Sequence, residues 1–247
     1  GAFEALCLTF GTAGTGGFGN WNNSIAHYNS AYLQNVISVF MILFGINFNA
    51  YFLLLTRKFK QLFKIEEIRV YLGVIAVFTT LIAFNVRGCF GSLRESFHHS
   101  LFQVASIITT TGFSTVDFNQ WPAFSKLLLV LLMFIGGCAG STGGGIKISR
   151  FVIYVKTLAR ELRRMTHPRS VRHIQMDGKT VESNVLQNTF AYLAVYVLIF
   201  AVSLLIISLD GLDLTTNFTA VAATFNNIGP GLELVGPTGN FDCYSFL

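Results

Sequence analysis

Charge is what this chain has least of. Asp, Glu, Lys and Arg make up 12% of its 247 residues while hydrophobic residues make up 52%, and the mean hydropathy is +0.57. A soluble domain carries about twice that share of charge, so a water-exposed globule is excluded and a bilayer is expected. Cysteine is nearly as scarce. Cys7, Cys89, Cys138 and Cys243 are scattered without the spacing of metal ligands, and Cys138 lies in an apolar run where a thiol behaves as a small hydrophobe. The five histidines, His27, His98, His99, His167 and His173, form no ligand set either. The adjacent pair His98-His99 reads as a feature of an outer half-helix rather than a metal site.

Enzyme signatures are also missing where the glycines would invite them. After Gly140 and Gly145 comes Ile146, which puts a phosphate-binding loop out of register by one residue. Ala139-Gly140-Ser141-Thr142-Gly143 has alanine where a hydrolase elbow needs its first glycine. The net charge of +5 does not point to nucleic acid, because no basic surface interleaved with aromatics is visible. Of the 17 Lys and Arg, five fall within Arg57 to Arg69 and seven within Lys156 to Lys179. Both clusters flank apolar spans, the positive-inside pattern, so both loops are expected to be cytoplasmic.

What the chain does have is a motif repeated three times. A short amphipathic stretch runs into a loop with glycine at its third position: TGGFGN from Thr15, TTGFST from Thr110 and NIGPGL from Asn227. Glycine opens backbone conformations closed to other residues, which lets carbonyl oxygens turn towards a common axis. Rings of such carbonyls replace the hydration shell of a monovalent cation. One such string would be only a turn. Three copies point to filter walls made by the carbonyls of Thr15, Gly16, Gly17 and Phe18, of Thr110, Thr111, Gly112 and Phe113, and of Asn227, Ile228, Gly229 and Pro230. The half-helices before them would aim negative dipole ends at the ion.

Apolar runs order the rest. Ser30 to Thr56 is long enough to cross about 30 Å of hydrocarbon. Val70 to Val86 returns the chain outward, and Ser96 to Ile108 is too short and polar to span, which fits a re-entrant half-helix. Ala123 to Ala139 enters again but meets GGCAGSTGGGIK, whose six glycines each oppose a regular helix by about 1 kcal/mol. Ile148 to Leu158 resumes as helix. Val185 to Leu209 is a further span and Leu214 to Phe225 another half-helix. The spans show no buried carboxylates of the kind that ion coupling often uses. The fold class is therefore an all-α polytopic membrane protein of repeated span, half-helix, loop and span, with Gly17 to Gly112 separated by 95 residues and Gly112 to Gly229 by 117.

TGGF, TTGFSTVDF, NIGPGLELVGPTGNF and GGCAGSTGGGIKISR resemble the membrane subunit of the Trk-type potassium uptake system, in the Trk/Ktr/HKT superfamily. The resemblance covers nearly the whole chain. It implies four membrane-pore-membrane repeats around one potassium pathway, with residues 1–57 as the end of repeat two, 65–164 as repeat three and 184–247 as the start of repeat four. On that comparison the chain is expected to be a piece of a longer bacterial inner-membrane protein.

By the same resemblance, Gly140, Ser141, Thr142, Gly143, Gly144 and Gly145 are an intramembrane gate below the filter. Taken alone, the glycines fit close helix packing equally well. Lys147 and Arg150 could repel cations from a closed pore or snorkel to the inner surface. The basic segment Lys156 to His173 can contact anionic lipid or dock a cytosolic nucleotide-binding ring with RCK domains, and a homodimer is implied. Potassium is the expected ion, and no bound cofactor and no bond-making catalysis are expected. The alternatives are a sodium- or proton-coupled symporter, or an intramembrane hydrolase with Ser141 as nucleophile.

Overall fold

The structure, a computed structural model, describes residues 1–167 and 173–245. Residues 168–172, part of the expected basic docking segment, lie outside the described residues, as do 246–247. The chain is helical almost throughout. In order come α1 (Ala2–Ala13), α2 (Ala31–Phe44), α3 (Phe48–Leu55), α4 (Phe59–Leu62), α5 (Glu66–Asn85), α6 (Leu93–Ile108), α7 (Ala123–Ile135), α8 (Ile148–Thr166), α9 (Ser183–Ile207) and α10 (Leu214–Phe225). One small antiparallel hairpin, β1 (Gln175–Met176) and β2 (Lys179–Thr180), interrupts them between α8 and α9.

The centre of the molecule is α6. Its 16 residues reach only about 24 Å, too short to cross a bilayer, and it is buried on every side from Phe102 to Ile108. A continuous face of α5, Tyr71, Ile75 and Ile82, packs on Val104, Ile107 and Ile108, and Leu129, Leu132 and Met133 of α7 complete that cluster. On the opposite side Phe102 and Ala105 meet Ile37 and Met41 of α2 and Leu8 of α1. Ser92 opens α6 by accepting the Glu95 amide at 3.2 Å, and Asp213 opens α10 by accepting the Thr216 amide at 2.9 Å. Both half-helices therefore start where a polar side chain caps them.

Among the described residues two helices, α5 and α9 with its trailing turn to Asp210, are long and apolar enough to cross a membrane, and the bent pair α2 and α3 would make a third. In α9 only Thr189 and Tyr196 are buried, while Val197, Leu198, Leu205 and Ile206 stand exposed. Such an exposed apolar helix face is a lipid-facing surface. The chain is a helical membrane protein.

Four expectations need correction. Ser30 to Thr56 is not one straight helix: α2 and α3 meet at 92°. Hydropathy runs unbroken across Gly45 to Asn47, but the break is made by tertiary hydrogen bonds from the glycine-rich segment. Cys138 N donates to Gly45 O at 2.9 Å, Phe48 N donates to Gly140 O at 3.1 Å, and Asn47 caps α3. The inward run ends at Ile135 rather than Ala139, and α8 continues past Leu158 to Thr166. The spans do hold a buried carboxylate, because α5 begins at Glu66 rather than Val70 and Glu67 is 4% exposed.

Gly45, which caps α2, is pressed against Tyr71 of α5 and Thr109, which caps α6. A Cβ there would lie 2.2 Å from the Tyr71 hydroxyl and 2.8 Å from Thr109 Cγ2. Gly45→Ala in the full-length protein is expected to cost about 1–3 kcal/mol through overpacking. Adding it to Tyr71→Phe should cost less than adding it to the wild type, because the nearest atom is gone. Thermal unfolding in detergent measures both steps, and equal steps would refute the close approach.

Candidate functional site

The three half-helices α1, α6 and α10 end alike. Each closes with the N–H of the second residue beyond its cap reaching back five residues: Gly16 to Gly11 O at 2.8 Å, Thr111 to Ser106 O at 2.9 Å and Ile228 to Ala223 O at 2.7 Å. In α6 and α10 the companion bonds Thr110 N to Ile107 O and Asn227 N to Thr224 O are both 3.1 Å. This is the Schellman arrangement, whose left-handed residue is usually glycine. Here that residue is Thr15 (φ 51°), Thr110 (φ 58°) or Asn227 (φ 59°). A β-branched residue at positive φ is an outlier, and such strain persists only where the surroundings over-determine it.

Two residues later the backbone turns left-handed again, at Gly17 (φ 66°), Gly112 (φ 85°) and Gly229 (φ 105°). Here the close approach of a neighbour also demands glycine. A Cβ on Gly17 would lie 1.7 Å from Thr111 O, and one on Gly112 would lie 1.8 Å from Ile228 O. The first two loops thus each set their glycine against the carbonyl preceding the next loop's glycine. The series does not close on itself, since a Cβ on Gly229 meets nothing within 4 Å.

The structure brings together all three predicted loops. Among the described residues, no donor reaches the carbonyls of Thr15, Gly16, Gly17, Thr110, Thr111, Gly112, Asn227, Ile228 or Gly229. Thr110 and Thr111 are 0% exposed and Ile228 is 2% exposed. Buried carbonyls are almost always paired. The Phe113 carbonyl, expected in the wall, instead accepts the Ser106 hydroxyl at 2.6 Å and so turns towards the scaffold. Side chains differ between loops as well: Phe113 is fully buried among Leu8, Ile25 and Ile37, while Phe18 stands exposed. Pro230 packs close to Gly112, its Cδ 3.2 Å from where a Cβ would be.

Segment 136–147 lies directly under these loops. Thr15 Oγ1 donates to Thr142 O at 3.1 Å, and Gly144 N donates to Thr110 Oγ1 at 2.5 Å. A Cβ on Gly143 would lie 2.8 Å from Thr109 O, and one on Gly144 would lie 2.3 Å from Asn226 O. The strained threonines are therefore the residues whose hydroxyls meet the segment. Gly145 packs on Gly136, where a Cβ would lie 2.8 Å from the Gly136 Cα, and Ile146 N and Ile148 N bond back to Phe134 O and Gly137 O. Lys147 sits at φ 79° and turns its ammonium inward to the Gly143 carbonyl rather than out to the surface. Arg150 does not face the loops: its guanidinium lies over the Tyr192 ring at 4.1 Å and donates to Ile146 O. The Ser141 hydroxyl donates to Cys138 O at 2.6 Å, and His98 and His99 are engaged elsewhere, with Gln34, Asn35 and Thr115.

Residues that the motif did not single out hold the loops in place. Ser114 O, just past the second loop, accepts the amides of Ile25 and Ala26 from the turn that follows the first. Asn119, following the second loop, exchanges two hydrogen bonds with the backbone of Glu233, just past the third. Asn226 is clamped by Tyr196 OH at 2.7 Å. No local pattern marks Ser114 or Asn119, because their partners Ile25, Ala26 and Glu233 lie far away in the chain.

A family described as TrkH, cation transport protein, matches residues 1–235. The chain belongs to this family. It is 36% identical over 238 residues to the Trk system potassium uptake protein TrkH of Escherichia coli K12, covering 95% of this chain and 49% of that protein. It is 34% identical to TrkG of the same strain, over 93% of this chain and 48% of the relative. The crystal structure of the potassium transporter TrkH from Vibrio parahaemolyticus superposes with a TM-score of 0.89 at 33% identity, over 96% of this chain and 51% of that one. The chain spans about half the length of the relatives it matches.

Gly112→Ala is expected to lose about 1–2 kcal/mol to left-handed strain and about 1–3 more to displacement of the Ile228 carbonyl. Gly73→Ala, at an open helical position with nothing within 4 Å, is the control and should be neutral or stabilising. Melting temperatures of the full-length variants in detergent compare them. A Gly112→Ala protein as stable as Gly73→Ala would refute the interlocked loops.

Proposed function

We propose that this chain supplies three walls of a four-walled selectivity filter that passes potassium into the cell. The observation that carries this is the set of backbone carbonyls in the three interlocked loops, which have no donor among the described residues although Thr110, Thr111 and Ile228 are buried. Unpaired, each would cost about 1–3 kcal/mol; a dehydrated monovalent cation is the partner that suits oxygens of this kind. The C-terminal ends of α1, α6 and α10 add partial negative charge at the same place. The carbonyls of Phe18 and Pro230 would extend the outer rim. A fourth glycine-centred loop, from the repeat missing from residues 1–247, would complete the contact series at Gly229. Residues 1–57, 65–164 and 184–247 are then the end of repeat two, repeat three and the start of repeat four.

In this reading Gly140 to Gly145 is the gate. It lies across the inner ends of all three loops, and Lys147 tethers it with a cation of its own. The basic ends of α3 and α8 face the cytoplasm of a bacterial inner membrane, and the filter opens outward. The membrane potential supplies about 2.3 kcal/mol per charge per 100 mV. Arg160, Arg163 and Arg164 offer a surface for anionic lipid and for a cytosolic nucleotide-binding subunit with RCK domains, and the protein works as a homodimer.

Three full-length variants test this in proteoliposomes. Gly112→Ser should lower the potassium-over-sodium permeability ratio about tenfold, the loss of some 1.4 kcal/mol of discrimination; an unchanged ratio removes the loop from the filter. Deleting Gly140 to Gly145 should raise basal conductance, and wild-type conductance would refute the gate. Ser141→Ala should retain potassium flux, because no hydrolytic step is involved.

A further inference from the structure

One buried carboxylate has no part in the reading above. Glu67 lies in the first turn of α5, 4% exposed, and a single oxygen, Oε1, accepts two backbone amides: Ala139 N at 2.6 Å and Ser149 N at 3.1 Å. These amides flank the gate stretch Gly140 to Gly145 on either side. Ala139 precedes Gly140, and Ser149 is the second residue of α8, where an amide without an intrahelical partner and the positive end of the helix dipole both favour an anion.

The helix that carries Glu67 is itself fixed at that turn. Glu66 N donates to Asp177 Oδ1 at 2.6 Å, and the Glu66 carboxylate pairs with Lys156 of α8 at 2.6 Å, while Lys156 also donates to Gln175 O at 2.7 Å. Glu67 is thus mounted on an anchored post. Between its two attachments the segment makes its bonds to Thr15 and Thr110.

From this geometry we infer that Glu67 is a positioning residue that clips the two flanks of the gate stretch together and so holds it against the filter loops. The inference rests on the gate reading for its effect on flux but not for its effect on the segment. Glycine has no side-chain contacts with which to hold its place, so the loop is held by its few backbone bonds and by what pins its flanks. Glu67 supplies a charge-assisted acceptor to both. Releasing it frees the segment without touching the filter carbonyls.

The test uses the full-length protein in liposomes, with native cysteines replaced and Ser141→Cys as the reporter. The readout is the modification rate by a membrane-impermeant thiol reagent added on the basic side. Glu67→Ala is expected to speed modification about tenfold or more, in keeping with the loss of two hydrogen bonds to a charged group. Glu67→Gln keeps an acceptor oxygen in place but not the charge and should be clearly slower than the alanine protein. Glu67→Asp, one methylene shorter, should fall between the two and serves if the alanine protein does not assemble. The potassium-over-sodium ratio should stay unchanged throughout. Unchanged rates in the alanine and aspartate proteins, or glutamine as fast as alanine, would overturn the clip. Faster modification with unaltered basal flux would keep the clip and overturn the gate.

Discussion

Everything in this molecule is arranged around carbonyl oxygens that have been taken out of water without a hydrogen-bond donor. Thr110, Thr111 and Ile228 are shut in by packed helices, yet their carbonyls are turned away from every amide that could satisfy them. Such an arrangement is unstable unless the backbone has no cheaper conformation to relax into. The Schellman ends of α1, α6 and α10 and the left-handed glycines two residues later remove those cheaper conformations. The neighbouring loop then closes off what freedom remains, since each of Gly17 and Gly112 has a foreign carbonyl where a side chain would begin.

The scaffold follows from that need. Half-helices that stop within the protein must be covered, and α6 is wrapped by α2, α5 and α7. The glycine-rich segment covers the loops from the other side. It is irregular backbone, and it lends its amides and carbonyls to Gly45, Phe48, Thr15 and Thr110. The right-angle break in α2 and α3 belongs to the same arrangement. That apolar run could form a straight helix, but Gly45 O and Phe48 N are bonded to the segment instead.

Much of this was legible residue by residue. The half-helix Leu214 to Phe225 was placed at its observed bounds, because Asp213 caps one end and Asn227 turns the chain at the other. The central glycines were legible because a third-position glycine repeats three times in comparable settings. Glu67 was not legible. It lies beside Glu66 and ahead of Arg69, so it reads as part of a polar helix start, and only the arrival of Ala139 and Ser149 from elsewhere in the chain buries it. The Phe113 carbonyl was misread for a similar reason: only the placement of the Ser106 hydroxyl shows which way it faces.

The sequence by itself determined the medium, the helices and the repeat, because hydropathy, caps and glycine positions act over a few neighbouring residues and leave local patterns. Only the tertiary structure decided the order of the loops, the fold of the segment beneath them and the break at Gly45. Those depend on hydrogen bonds and van der Waals contacts between residues 34 to 127 positions apart. Bonds that short in space and that long in sequence leave no periodic trace in the chain.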